Sequence, residues 1–361
     1  MTKLQMLRSA LDNWNLDAVL LNRRDTLAWL TDGASFHVVE RSELAVAQLL
    51  VMRDVDALPV LLAPDNEMPR FIDEEVMPFE CRYVTHPWFE SGDAQLAALL
   101  QDKRIGSDTP RPYAQDMFPK LVTLRSVLTS AEQQRHAELG RDAANIVEEI
   151  CSRIEPGWTE RRIEAEVFAG CIAREIRPVC VLIAADDRID KYRHPLPRAN
   201  AVRRRVMVVL GAERHGLNVS LTRMVHFGAV PEALDRARES TLEIHADLLD
   251  ATRAGQSYTQ FFIDMKNAYA RAGHADAWRA HHQGGPTGYA CREAIITPSS
   301  DSAISNDQAF AWNPGLRGAK SEETVLLTAS GVRCLTRGDN WPVRVIHRND
   351  AEYDLADWLV K

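Results

Sequence analysis

The chain has 361 residues, of which 45% are hydrophobic and 26% charged, values typical of a folded, water-soluble protein. Its formal net charge of -8 argues against nucleic acid or an anionic membrane surface as the main partner. The six cysteines are scattered without a CxxC pair, which indicates reduced thiols and a cytoplasmic location. No uninterrupted apolar run approaches the ~20 residues that a membrane-spanning helix needs.

The first third of the chain alternates helix and strand signals. The segment LQMLRSALDNWN has apolar residues at helical spacing, and the short strand signal DAVLL follows it. The apolar runs LAVAQLLVM and ALPVLLA predict two more strands, and LAALLQDKRIGSD predicts a helix that leads into a strand. This alternation predicts an α/β domain over residues 1–127.

From Thr129 onward the pattern changes to long amphipathic helices between strands. Helices are predicted for TSAEQQRHAELGRDAANIVEEICSRI, with Ser130 as N-cap, for TERRIEAEVFAGCIARE, with Thr159 as N-cap, for ALDRARESTLEIHADLLDATRAG and for SYTQFFIDMKNAYARAG. Strands are predicted for VCVLIAA, VMVVLGA, MVHFGAV, EAIITP and TVLLTASGV. Residues 128–361 are therefore predicted to form an α+β domain with helices laid on an antiparallel-rich sheet.

Five segments of the second domain, taken in their order along the chain, resemble segments of a known protein family. They are HPLP at His194, VVLGAERHGLNVSLTRMVHFG from Val208, HHQGGPTGY from His281, AWNPG from Ala311 and SEETVLLTASG from Ser321. Together they resemble the creatinase/aminopeptidase P family, whose catalytic domain has the pita-bread fold, and the likeness spans essentially the whole chain. The resemblance implies an α+β pita-bread domain preceded by a smaller α/β domain, a hydrolase activity and a homodimer.

Metal binding is where the chain departs from this family. Its peptidases hold two divalent metals with two Asp, one His and two Glu, and the resemblance places these ligands at Val209, Ser220, Gly285, Asn313 and Glu322. Only the last of these is acidic, and one carboxylate cannot hold a pair of metals. We therefore expect no metal and no other cofactor. The alternative is a shifted alignment in which ligands come from three nearby aspartates, Asp186, Asp187 and Asp190.

His194 and Glu322 are the expected catalytic residues. The resemblance gives His194 the position of an active-site histidine that transfers protons in creatinase, which works without a metal. An imidazole suits this role because its pKa of ~6.5 lets it take and give a proton near neutral pH. Glu322, with the help of Glu293, is expected to hold a cationic or amidine nitrogen between its carboxylate oxygens. On the residues alone, His194 reads as an exposed loop histidine and Glu322 as a solvated strand-end carboxylate.

The loop RAHHQGGPTGYACRE is expected to contact substrate. His281 matches a histidine that lines the family's pocket, whereas His282 is expected to point away because side chains alternate along an extended segment. Gln283 is expected to offer its amide in place of the imidazole of the metal site. Arg292 is expected either to grip a substrate carboxylate with its planar guanidinium or to pair with the neighbouring Glu293.

Trp312 and Asn313 complete the expected substrate-binding set. The indole of Trp312 is expected either to form an aromatic wall that holds a cationic nitrogen or to pack in the core. Asn313 places a neutral amide where the family has an acidic ligand.

These observations lead to one main hypothesis and two alternatives. The main hypothesis is a metal-independent hydrolase that cleaves a C–N bond in a small amidine, guanidino or amide compound. The first alternative is a Xaa-Pro dipeptidase or aminopeptidase. The second is a catalytically dead pseudopeptidase that uses the same groove to bind a peptide.

Overall fold

The computed structural model describes residues 1–349 and 351–361. Two compact units make up the chain, Met1–Arg125 and Ser126–Lys361. The division falls two residues before the predicted one at 127/128. No helix within the described ranges is both long and apolar enough to cross a membrane.

The first unit is an α/β domain around one mixed sheet. Its elements, in chain order, are α1 (Lys3–Asn13), β1 (Ala18–Arg23), α2 (Arg24–Leu30), β2 (Leu44–Met52), β3 (Val60–Pro64), α3 (Met68–Glu74), β4 (Arg82–His86), α4 (Asp93–Leu100), β5 (Ile105–Ser107), β6 (Gln115–Asp116) and α5 (Phe118–Arg125). The strands lie in the order β4-β3-β2-β1-β5-β6. The central strand β1 is buried almost throughout, as expected for a strand with both faces covered.

Among the described residues, the second unit has five α-helices and one 3-10 helix, Ala277–Ala280. The α-helices are α6 (Ser130–Arg153), α7 (Glu160–Ile172), α8 (Asp187–Lys191), α9 (Glu232–Ala251) and α10 (Tyr258–Arg271). Helix α6 begins with a capping box in which Thr129 and Glu132 satisfy each other's backbone N–H groups, so Thr129 is the N-cap and not Ser130 as predicted. Helix α7 has the predicted N-cap, Thr159.

The strands of the second unit form two four-stranded sheets and two hairpins. Their bounds are β7 (Arg177–Ala185), β8 (Arg205–Arg214), β9 (Leu217–His226), β10 (Gly284–Thr287), β11 (Gln308–Trp312), β12 (Gly315–Leu316), β13 (Ala319–Lys320), β14 (Glu323–Thr328), β15 (Gly331–Cys334), β16 (Val343–Arg348), β17 (Ala351–Ala356) and β18 (Leu359–Val360). The sheets have the orders β18-β9-β8-β7 and β10-β11-β14-β15. Helix α6 packs against β8 and β9.

Three of the strand predictions were wrong in detail. TVLLTASGV, predicted as one strand, forms most of β14 and the start of β15 on either side of a turn at residues 329 and 330. The strand predicted from Met224 is the end of β9, which already begins at Leu217 because residues 215 and 216 both have positive φ and close a two-residue hairpin. Residues 293–298, predicted as a strand, have no regular structure, and Ala294 and Ile295 are exposed instead of facing a core.

Hydrogen bonds join the two sheets of the second unit where their edges meet. The N–H of Ser220 on β9 donates to Oγ1 of Thr324 at 2.7 Å, and the same hydroxyl donates to the carbonyl of Ser220 at 2.9 Å. The N–H of Thr222 donates to the carbonyl of Glu322 at 3.1 Å. These bonds place β9 directly beside the segment that carries Glu322.

Candidate active site

His194 is held in its loop by neighbouring prolines and backbone contacts. Because Pro195 follows it, the backbone of His194 is biased towards extended conformations. The carbonyl of Pro195 accepts the N–H of Ile183 on β7 at 3.1 Å, which ties the loop to the sheet. The side chain of His194 remains exposed, as a group that meets substrate requires.

Three histidines from two segments meet at this point. Nε2 of His194 lies 2.8 Å from Nε2 of His281, and the two rings meet edge to face with centroids 4.7 Å apart. The ring of His282 stacks on that of His281 at 4.2 Å. The expectation that His282 points away was therefore wrong, because the regular strand with its alternating side chains begins only at Gly284.

The hydrogen bonds of His281 fix which of its nitrogens carries the proton. Its Nδ1–H donates to the carbonyl of His282, which leaves Nε2 of the neutral ring as an acceptor. The proton between the two imidazoles therefore belongs to Nε2 of His194. Burial, followed by the positive charges of neighbouring groups, lowers the pKa of His281 to about 3, so this ring is neutral at physiological pH.

Glu322 lies between two cations. Its Oε1 accepts from Arg292 at 3.0 Å, and its Oε2 accepts from Lys320 Nζ at 2.6 Å and from the Thr222 hydroxyl at 2.7 Å. Burial alone would raise the pKa of Glu322, but Lys320 and Arg292 hold it at about 2. The carboxylate is ionised, 3% exposed and already bonded through both oxygens, so it is not an open anchor for a cationic substrate nitrogen.

Lys320 is the site residue that the sequence analysis missed. It is the last residue of β13, two positions before Glu322 in the segment AKSEET. In an extended segment, residues i and i+2 lie on the same side, so this spacing contained the signal for a Lys–Glu pair.

The residues at the family's metal positions do not fit a pair of metals. Val209 belongs to an apolar core cluster with Met207 and Met224. A Cβ atom added to Gly285 would lie 2.2 Å from the carbonyl oxygen of Ala294, so no histidine fits there without a backbone shift. Together with the loss of the carboxylates, this leaves no donor set for the dinuclear centre.

Two of the three aspartates considered as substitute ligands have protein partners, and the third, Asp187, is exposed. The carboxylate of Asp186 accepts the N–H groups of Arg203, Arg204 and Arg205, and Asp190 pairs with the side chain of Arg205 at 2.6 Å. They hold the loop before β8 instead of a metal.

Within the described residues, the histidine cluster is the group with the spacing of a metal site. One nitrogen from each of His194, His281 and His282 lies within 4.8 Å of the others. Three imidazoles can ligate a single ion, but they lack the bridging carboxylates that a pair requires. Burial lowers the pKa of both His281 and His282; the charge of Lys320 lowers both further, and that of Arg292 lowers the pKa of His282. These two positive charges also oppose a cation here.

Three residues of the loop that were predicted to contact substrate instead form hydrogen bonds within the protein. Arg292 donates to Glu322, to the Ser220 hydroxyl at 3.1 Å and to the carbonyl of Cys291 at 2.6 Å, so its guanidinium is largely committed. Glu293 accepts the N–H of Tyr289 at 2.9 Å. The amide of Gln283 donates to the carbonyls of Trp278 and His281, which stabilises the loop instead of facing a ligand.

Trp312 and Asn313 are neighbours with different surroundings. Trp312 is fully buried, stacks on Phe261 with centroids 4.4 Å apart and donates to the Thr252 hydroxyl, so it is a core residue and not a pocket wall. Asn313 lines a small cavity together with His281, Lys320 and other residues. The cavity volume is about 20 Å³, little more than one water molecule requires.

Comparisons with known proteins agree with this architecture. The model of metallopeptidase family M24 matches residues 134–329. No curated protein sequence matches the chain. The prolidase of Pyrococcus horikoshii OT3 is similar at 18% identity, with a TM-score of 0.78 over 93% of this chain and 98% of that one. The Xaa-Pro dipeptidase of Bacillus anthracis is similar at 16% identity, with a TM-score of 0.77 over 99% of each chain.

A further similar structure is not named as a peptidase. The N-terminal domain of the FACT complex subunit SPT16 from chickpea, Cicer arietinum, is 11% identical, with a TM-score of 0.68 over 92% of this chain and 95% of that one. At these identities the solved structures establish the fold alone, a pita-bread domain preceded by an α/β domain. The family match covers more than half of the chain, and the sequence-based resemblance is confirmed: this chain belongs to metallopeptidase family M24.

Proposed function

We propose that the chain hydrolyses the C–N bond of a small neutral or anionic amide without the dinuclear metal centre of its family. The observation that carries this proposal is the 2.8 Å contact between the Nε2 atoms of His194 and His281. Because Nε2 of His194 holds the shared proton, the free lone pair of this ring is on Nδ1 of His194. This nitrogen takes a proton from an attacking water molecule and returns it to the leaving nitrogen.

The charges around Glu322 narrow the substrate class. Lys320 and Arg292 face one carboxylate, His281 stays neutral, and Arg193 lines the same cavity, so positive charge outweighs negative charge at the site. This charge disfavours the amidines and guanidino compounds of the main sequence-based hypothesis and favours amides that are neutral or carry a carboxylate. Dipeptides of the Xaa-Pro type belong to that class, and the names of the prolidase and the Xaa-Pro dipeptidase support them as candidates.

A substrate panel tests this proposal. It contains Xaa-Pro dipeptides, N-acyl amino acids and amidines, each assayed with and without a chelator, alongside elemental analysis of the purified protein. We expect amide turnover that the chelator does not change and no amidine turnover. Activity that disappears on chelation and returns with two divalent metals per chain would instead establish a metal-dependent dipeptidase.

The second candidate is a pseudopeptidase that binds a peptide without cleaving it. The replacement of four of the five metal ligands favours this function, and the similar fold of the SPT16 domain offers a relative that is not named as a peptidase. The same panel separates the two candidates. Peptide binding without turnover of any amide would support the pseudopeptidase and contradict the hydrolase.

A further inference from the structure

The side-chain oxygen of Asn313 is a buried acceptor to which no described residue donates a hydrogen bond. The residue is 5% exposed, and its Oδ1 atom is fully buried with no hydrogen bond to any described residue. Its backbone is well held, since the N–H donates to the carbonyl of Gln283 at 3.1 Å. Buried polar atoms are rarely left unpaired, because losing water without gaining a partner costs free energy. An orphaned acceptor in a pocket wall therefore indicates that a ligand supplies the missing donor.

Lys320 offers the complementary group in the same cavity. Its ammonium has three N–H donors, and the Glu322 carboxylate accepts one of them. Among residues 1–349 and 351–361, no second hydrogen-bond partner of this ammonium is found. The side chain is 14% exposed, and it lines the small cavity together with Asn313 and His281. The residues that line the cavity therefore include one with a spare donor, Lys320, and one with a spare acceptor, Asn313, and His281 of the histidine pair lines it too.

The chemistry of these two groups selects one kind of ligand. A carbonyl oxygen satisfies the ammonium of Lys320, and an N–H satisfies Oδ1 of Asn313. An amide with a hydrogen on its nitrogen carries both groups on adjacent atoms. An ester, a carboxylate or the tertiary amide of a Xaa-Pro bond supplies the carbonyl oxygen without the N–H.

We propose that Asn313 and Lys320 form a recognition site for an amide group that bears an N–H, with Lys320 donating to the carbonyl and Asn313 accepting from the nitrogen. This inference rests on the proposed function for the identity of the ligand as an amide. It narrows the substrate class of the proposed function: among neutral and anionic amides, the chain would prefer secondary or primary amides to the tertiary Xaa-Pro amides suggested by the names of its structural relatives. Asn313, at the position of an acidic metal ligand in the family, then determines specificity.

A matched pair of ligands tests the inference by isothermal titration calorimetry. N-acetylglycine carries the N–H, and O-acetylglycolate replaces that N–H by an ester oxygen at nearly the same volume. We expect the unmodified chain to bind N-acetylglycine about tenfold more tightly, the effect of one buried hydrogen bond. Asn313→Leu, which keeps the volume but removes the acceptor, should abolish the preference. Lys320→Met should weaken both ligands, since both carry the carbonyl.

Matched controls are available on α10. Lys266 and Asn267 are both exposed and do not line the cavity, so Lys266→Met and Asn267→Leu should bind both ligands like the unmodified chain. Equal affinity of the unmodified chain for the two ligands would overturn the inference, and so would a preference that persists in Asn313→Leu or a failure to bind either ligand. The comparison of the two ligands on the unmodified chain remains valid even if a variant fails to fold. A clear preference for N-acetylglycine without turnover of any amide would refute the hydrolase while leaving the recognition site intact.

Discussion

The ammonium of Lys320 lies 2.6 Å from Oε2 of Glu322, while Arg292 approaches the other carboxylate oxygen at 3.0 Å. Internal cations thus neutralise the one acidic residue that remains of the family's metal-binding set. The arrangement converts a ligand for an external ion into part of a closed network of charged side chains.

Removing the charge of Glu322 should destabilise the second unit. Glu322→Gln leaves two largely buried cations without their counter-ion, and breaking a buried ion pair in this way costs about 3 kcal/mol. Denaturant unfolding measures the loss. Glu352→Gln is the control, because Glu352 is an exposed carboxylate whose only ion-pair contact among the described residues is with the exposed ring of His347 at 3.3 Å, and we expect a change below about 0.5 kcal/mol. A Glu322→Gln chain as stable as the unmodified one would contradict the network.

Gly285 should not tolerate even a methyl group. In Gly285→Ala, the new Cβ would meet the carbonyl oxygen of Ala294 at 2.2 Å, and we expect a loss of at least about 2 kcal/mol in unfolding free energy. Gly288→Ala is the control, since its Cβ would have its nearest neighbour, Oε1 of Glu293, at 3.5 Å. Equal stability of the two variants would show that the loop can shift. Because a side chain at Gly285 would clash, we also expect that substituting all four missing ligands back into the chain would not restore binding of two metals.

His194→Ala should remove turnover and leave the fold intact. The side chain is exposed, so it contributes little packing, but it would carry the proton transfers. We expect kcat to fall by about 100- to 10,000-fold, the range typical of a general acid–base residue. His347→Ala, which removes an exposed histidine far along the sequence, should leave kcat unchanged. Nearly full activity of His194→Ala on a confirmed substrate would refute the proton-transfer role.

His136 should make the protein less stable in acid. Burial lowers its pKa to about 4, and its contacts with the Asn218 carbonyl and nearby Glu132 offset this only in part. Between about pH 6.5 and 4 the unfolded chain binds the proton and the folded chain does not, so stability is lost as the pH falls. A shift of this size amounts to about 3 kcal/mol. Denaturant unfolding across this pH range should show a flatter profile for His136→Gln, and parallel profiles would contradict the prediction.

Much of the fold could be predicted from the sequence, because periodicity and segment order carry that information. The long helices α6, α7, α9 and α10 follow apolar residues at helical spacing, and β7 and β8 follow continuous apolar runs. Segments distant in sequence, at His194 and His281, do come together. The family resemblance predicted that these two segments meet, because no local sequence pattern relates two loops separated by 87 positions.

The roles of individual site residues were harder to predict, because they depend on partners. From the sequence, Glu322 is expected to be a free carboxylate, but in the structure Lys320 and Arg292 form ion pairs with it. Trp312 ends a strand that is buried on both faces, a fact that the segment AWNPG does not reveal. In both cases the deciding contacts come from residues on other elements or from burial, and a single sequence records neither.

The small size of the cavity lined by Asn313 affects both the affinity and the association rate of a ligand. At about 20 Å³ the cavity is smaller than any amide the site would accept, so a ligand can enter only a wider form in which lining side chains have moved. The apparent dissociation constant then equals the intrinsic constant divided by the fraction of chains in that wider form. Association would be slow for so small a ligand, and trimming the wall at Tyr192 or Leu316 would speed it by raising that fraction, with the amide contacts unchanged.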